Sequence, residues 1–164
     1  MQSADISAQI TLLRRYARAL AGDSHRADDL VQDTLERALT KFHLWRRGSD
    51  LRAWMFSIMH NVFINQLKAR RELALDENFE AGLESPPQSD PLLLRDLESA
   101  LRCLSAEQRE VVLLVALEQL SYAEAGKALG IPVGTVMSRL SRGRERLRVL
   151  MSGAATVINL KVVK

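Results

Sequence analysis

The feature that most constrains this chain is a proline-bearing break between two halves that both read as helices. Residues 72–91 hold Pro86, Pro87 and Pro91 together with Gly82, Ser85 and Ser89. Proline removes an amide donor and its ring clashes with the preceding helical turn. Apolar periodicity is lost there, so the stretch reads as a flexible linker. On either side, apolar residues recur every three and four positions, the period of an amphipathic helix. The expected fold class is therefore all-α, two small helical domains joined by a flexible linker. The domains are expected at 1–72 and 92–152, with the linker at 73–91 and an unassigned apolar tail at 153–164.

In the first half, Ile6, Ile10, Leu13, Ala17 and Leu20 form one apolar stripe, which Gly22 stops. Asp23 or Ser24 caps a second helix, whose buried face is expected to hold Val31, Leu35, Leu39 and Phe42. After a loop at Arg46-Arg47-Gly48-Ser49, a third helix carries Leu51, Trp54, Met55, Ile58 and Val62. In the second half, Ser105-Ala106-Glu107-Gln108 and Ser121-Tyr122-Ala123-Glu124 are capping-box patterns, in which the serine oxygen serves a free amide and the acid or amide reaches back. A last helix is expected over Thr135–Leu150.

Charge is distributed unevenly along the chain. Residues 1–71 carry 12 basic and 7 acidic side chains, residues 72–98 carry 1 and 8, and residues 99–164 carry 10 and 5. Two basic blocks flanking an acidic one point to two separate contacts with a polyanion. Cys103 is the single cysteine, so neither a disulfide framework nor a cysteine metal site is expected. No unbroken apolar run reaches the roughly 18 residues of a membrane span, and no signal peptide is evident. A cytoplasmic location is the expectation, with no membrane insertion.

Ser121 to Arg148 is a short capped helix, a glycine-bearing turn and an arginine-rich helix, the helix-turn-helix arrangement. Val136, Leu140, Gly143, Leu147 and Leu150 recur at three and four and face the core. Arg139, Arg142 and Arg146, with Ser138, lie on another face, and arginine bonds bidentately to guanine in the major groove. Thr135 sits in the first turn, whose free amides suit phosphate. A solvated basic face on a structural helix is the plainer reading, and it is preferred for Arg144 and Arg148.

In the first half, Asp29, Gln32, Asp33 and Glu36 form an acidic stripe. It is either a solvated face or a docking surface for a basic protein, since carboxylates repel DNA. Asn61, Asn65 and Lys68 share one side of the third helix, and Arg70 and Arg71 close it; asparagine serves bases and the cations serve phosphates. Before it, Phe42-His43-Leu44-Trp45-Arg46-Arg47 is aromatic and basic together, a mixture suited to an unstacked base. Trp54 and Phe56 read as core, and His60 as a packing residue.

These residues, in this order, resemble the extracytoplasmic-function (ECF) subgroup of sigma-70 factors. Ala27-Asp28-Asp29-Leu30-Val31-Gln32-Asp33 is similar to the family's polymerase-binding helix in region 2. Leu51 to Phe56, through Asn61 to Arg71, is similar to its promoter-melting and −10-reading helix. Leu104 to Arg109, Ser121 to Ala125 and Gly134 to Arg144 resemble region 4. The resemblance implies a region 2 helical bundle and a region 4 helix-turn-helix. It implies that Asp29, Gln32, Asp33 and Glu36 dock on core RNA polymerase and that the Leu44–Ser49 loop captures a −10 base. Asn61, Asn65, Lys68 and Arg71 would support that contact, while Thr135, Ser138, Arg139, Arg142 and Arg146 read the −35 element of promoter DNA. His60-Asn61 and the run from Met137 to Gly143 lean towards the general-stress branch, in which an anti-sigma factor holds the protein inactive. Met137 stands where many relatives carry a basic residue.

Two other readings compete: a sigma-like adaptor that titrates an anti-sigma factor, and a stand-alone helix-turn-helix regulator. The adaptor has no need of DNA-reading cations, and the regulator has no need of the acidic stripe. An enzyme is not expected, because three scattered histidines, one cysteine and no glycine-rich phosphate loop make no catalytic cluster. Neither cofactor, metal nor small-molecule ligand is expected.

Overall fold

The computed structural model describes the backbone of residues 2–77 and 92–162, and side chains over 5–75 and 96–152. Among the described residues seven α-helices follow one another: α1 (Gln2–Ala21), α2 (Ser24–Lys41), α3 (Leu51–Glu77), α4 (Leu92–Arg102), α5 (Ala106–Val112), α6 (Tyr122–Leu129) and α7 (Val133–Val162). Among the described residues there is no strand. Helix α3 runs to Glu77, past the point where apolar periodicity fades at Glu72. The expected linker proper, from residue 78 to 91, lies outside the described residues, and so do the side chains of the tail.

Local chemistry explains most boundaries. Asp23, extended at φ −131°, accepts from the His25 amide and starts α2. Asp50 accepts from the Arg52 amide at 2.9 Å and starts α3. Ser121 and Glu124 form a complete capping box on α6, and Gly130 ends it in the left-handed conformation at φ 66°, which costs glycine no Cβ clash. At Ser105 only the serine half of the box forms, onto the Gln108 amide.

The fourth of these starts leads into an irregular stretch. Helix α5 widens into a single π-turn at Leu113–Leu117, closed by the Glu118 amide on the Leu113 carbonyl at 3.0 Å. Gln119 then takes a positive φ of 58°. The widened turn keeps Glu118 on the buried side, where Val111 and Leu114 also lie; such bulges are frequent at functional positions.

The two halves share one apolar interior. Leu13, Tyr16, Leu30, Met55, Phe56 and Met59 from the first half join Val111, Leu114, Leu120, Ala125, Val136 and Leu140 from the second. Tyr16 meets Phe56 edge-on at 5.0 Å between ring centroids. Helix α3 packs on α6, and α1 on α5 and the π-turn. One expected core residue is misplaced: Leu39 is 59% exposed, because the buried stripe of α2 runs through Ala27, Leu30, Val31, Thr34 and Ala38 instead. Thr34 is accommodated there by donating to the Leu30 carbonyl at 2.6 Å.

Candidate nucleic-acid interface

Helix α7 is anchored where its core stripe meets α5 and α6. A Cβ on Gly126 of α6 would lie 2.9 Å from the Ile131 carbonyl, and one on Gly143 of α7 would lie 2.7 Å from a Val112 methyl. These two glycines set the close helix approaches. Ala125 and Ala128 of α6 are buried beside them, while Ala123 is exposed.

With Val136, Leu140 and Gly143 turned inward, helical periodicity puts Ser138, Ser141 and Arg142 at the centre of the outward face. All three are exposed. Met137, 51% exposed, flanks them on one side. Thr135 and Arg139 lie on the other flank and are only partly exposed. Arg139 leans back towards α5, with its guanidinium 3.7 Å from Glu107. Arg146 is open to solvent, and Arg148 is held by Glu145 at 3.1 and 2.6 Å. The sequence reading passed over Ser141; projecting the helix away from its own core stripe identifies it.

On α3, Asn61, Asn65, Lys68 and Arg71 are exposed along one side, opposite the buried Ile58, Met59 and Val62. The loop before it is a tight turn, in which the Ser49 amide and hydroxyl both donate to the Arg46 carbonyl at 3.1 and 2.6 Å. Gly48 at φ 92° completes the reversal. Arg46 and Arg47 project into solvent and Leu44 is 67% exposed. Trp45 is not free in the same way. Its ring packs at 5.4 Å, tilted by 40°, on Phe42, which in turn meets Trp54 edge-on at 6.2 Å. The tryptophan braces the loop, and Leu44 is the apolar side chain it presents.

The acidic stripe of α2 faces outward as a strip of Asp29, Gln32, Asp33 and Glu36, all exposed. Asp33 Oδ2 accepts from the Gln66 side-chain Nε2 of α3 at 2.9 Å, which ties the strip to the neighbouring helix. The two prospective contact surfaces of the first half are thus adjacent but separate, one acidic and one basic.

Between the surfaces the buried carboxyls of Glu110 and Glu118 meet more exposed partners, in pairs without a sequence signature. His60 Nδ1 is hydrogen-bonded to Glu110 Oε2. Arg15 forks onto Glu118 at 3.2 and 3.0 Å. Arg109 donates to the carbonyls of Leu101, Leu20, Arg102 and Leu104 at 2.9–3.2 Å, joining the ends of α1 and α4. Burial pushes the Glu110 carboxyl up, against the pull of His60. Burial, then the charges of Glu110 and Glu118, pushes the Tyr16 phenol well above its ordinary range. Among the described residues no cluster of histidine, cysteine and carboxylate has metal-binding geometry.

The comparisons with known proteins agree with this arrangement. Residues 6–60 match the family model described as the sigma2 domain of PhyR, and residues 87–147 match sigma-70 region 4. The chain is 40% identical over 150 residues to the ECF RNA polymerase sigma factor EcfG of Rhodopseudomonas palustris, covering 90% of this chain and 83% of that one. It is 34% identical over 142 residues to the ECF sigma factor SigE of Mycolicibacterium smegmatis, covering 82% and 55%. Among solved structures it is similar to the sigma factor RpoE of Bartonella quintana, crystallised with the anti-sigma factor NepR. That likeness has a TM-score of 0.80 and 36% identity, over 92% of this chain and 96% of that one. With both family models matched in order and relatives of this kind, the chain belongs to the ECF RNA polymerase sigma factors.

Proposed function

We propose that α2 docks on core RNA polymerase through Asp29, Gln32, Asp33 and Glu36, while α3 and α7 read the two promoter elements. In this reading the Leu44–Ser49 loop, with Asn61, Asn65, Lys68 and Arg71, engages the −10 element, and Ser138, Arg142 and Arg146 engage the −35 element. Thr135 and Arg139 hold the start of α7 and contribute phosphate contacts. Melting needs no bond chemistry, only higher affinity for unpaired bases than for the duplex. The protein works in the cytoplasm, where core polymerase and promoter are found.

The observation that carries this reading is the separation of charge: one exposed acidic strip beside two exposed cationic helices. Acid suits a basic protein surface and repels DNA, so one chain bridges the two. An anti-sigma factor controls the activity, as the likeness to the RpoE–NepR pair suggests. Its place is the groove of about 1180 Å³ between α1 and the second half, floored by Leu101, Leu113 and Leu147 and rimmed by Arg14 and Arg18. Such a groove fits an amphipathic helix with an acidic face.

The sigma-like adaptor has one specific support, the match of residues 6–60 to the sigma2 domain of PhyR. The exposed Lys68, Arg71 and Arg142 weigh against it. One experiment separates the two. Wild-type protein forms holoenzyme with core polymerase, and Asp29→Arg with Asp33→Arg abolishes it while the helical circular dichroism is unchanged. Holoenzyme retained by the double variant would remove α2 as the docking site, and no holoenzyme with wild type would favour the adaptor.

A further inference from the structure

Three exposed apolar side chains gather on one flank of the face that α7 presents to solvent. Tyr122, at the start of α6, is 38% exposed, and Val133 and Met137, one turn apart on α7, are 43% and 51% exposed. The buried contacts of this part of α7 are made by Val136 and Leu140 instead, at 0% and 2%. Tyr122 and Met137 share a groove of about 470 Å³, which Ser141, Arg144 and Arg148 line further along α7. Met137, Ser141, Arg144 and Arg148 follow at intervals of four, three and four, so they form one stripe beside the central Ser138 and Arg142.

A helix-turn-helix lays its second helix in the major groove with N-terminal residues against base edges, while its first helix crosses the backbone. One DNA strand then runs along the groove between α6 and α7. Arg144, exposed on this flank, meets its phosphates. Met137, near the start of α7, meets base edges, to which a thioether offers no hydrogen-bond donor. The thymine 5-methyl is the apolar group displayed in the major groove, and methionine is flexible and polarisable enough to fit against it. The adjacent Ser138 turns its hydroxyl back onto the Thr135 carbonyl at 3.1 Å, which leaves Met137 as the distinctive side chain of this turn.

We propose that Met137 reads one thymine of the −35 element through its 5-methyl group, with Val133 and Tyr122 as apolar backing. On the promoter reading given above, this adds an apolar determinant of sequence to the polar one at Arg142. Arginine favours guanine, whereas the methionine contact favours T·A over C·G at its own position.

Replacing each thymine of the −35 element in turn by deoxyuridine, which deletes only the methyl group, tests the contact. The element is first obtained by binding-site selection, and duplexes carrying it are titrated with holoenzyme and with the free full-length chain. Wild type is expected to bind about fourfold more weakly when one particular thymine is replaced, the worth of burying one methyl group. Met137→Ala should bind thymine and uracil equally there, and Met137→Leu should keep the distinction. Met137→Lys adds a cation and should bind at least as tightly at low salt, yet without the distinction. Arg142→Ala should still distinguish the two bases. Wild type indifferent to every replacement overturns the contact, and so does Met137→Ala that still discriminates at the same thymine. Discrimination by the free chain when no holoenzyme forms upholds the contact and overturns the polymerase reading instead. Binding by neither form overturns both.

Discussion

Glu110 shows how much of this protein depends on single side chains that meet across the fold. Burial is the largest influence on its carboxyl and raises it above the ordinary value of 4.5, with His60 opposing. The unfolded chain therefore releases this proton at a lower pH than the folded chain. Stability falls as pH climbs from the ordinary glutamate range through the folded value. Glu110→Gln removes this dependence. In urea unfolding at pH 4.5 and at neutral pH, the variant is expected to gain on wild type at the higher pH; an equal difference at both pH values contradicts the assignment. At this scale little was legible in advance. His60 reads as a packing residue because its partner lies 50 positions away, and Arg15 carries no local signal because Glu118 lies 103 away. No periodicity encodes such pairs.

Helices were far more legible, because their signals are local. The Ser121–Glu124 box, the glycine stop at Gly130 and the core stripe of α7 all follow from spacing alone. Where spacing failed, tertiary packing decided. The α2 stripe turns inward through Thr34 and Ala38, leaving Leu39 outside, and the π-turn after α5 has no sequence pattern. Gly143 was read correctly as core, but not as a contact that sets helix separation. Gly143→Ala gains about 1 kcal/mol of helix propensity and incurs about 1–3 kcal/mol of overpacking against Val112. The expected result is a net loss on the order of 1 kcal/mol in denaturant unfolding, and a gain would show that α5 and α7 have room to part. On the outward face, Arg142→Ala is expected to cost about 1–3 kcal/mol at one −35 base pair and relax selectivity there. A binding-site selection with every preference unchanged would remove Arg142 from base reading.

For the whole molecule, charge distribution along the chain was the most informative property. Two basic blocks around an acidic one pointed to two polyanion contacts, and the structure places exposed cations on both α3 and α7. What the linear pattern could not show is that the two halves close on each other over one shared interior. Side chains for that closure are scattered among stripes that each look complete within its own half. The central claim is that this closed pair of helical domains becomes, on core polymerase, a reader of two promoter elements. In vitro transcription with purified core polymerase and a randomised promoter library tests it most directly. Initiation from a subset of promoters sharing both a −10 and a −35 sequence is the expected result. Transcription no different from core polymerase alone contradicts the account.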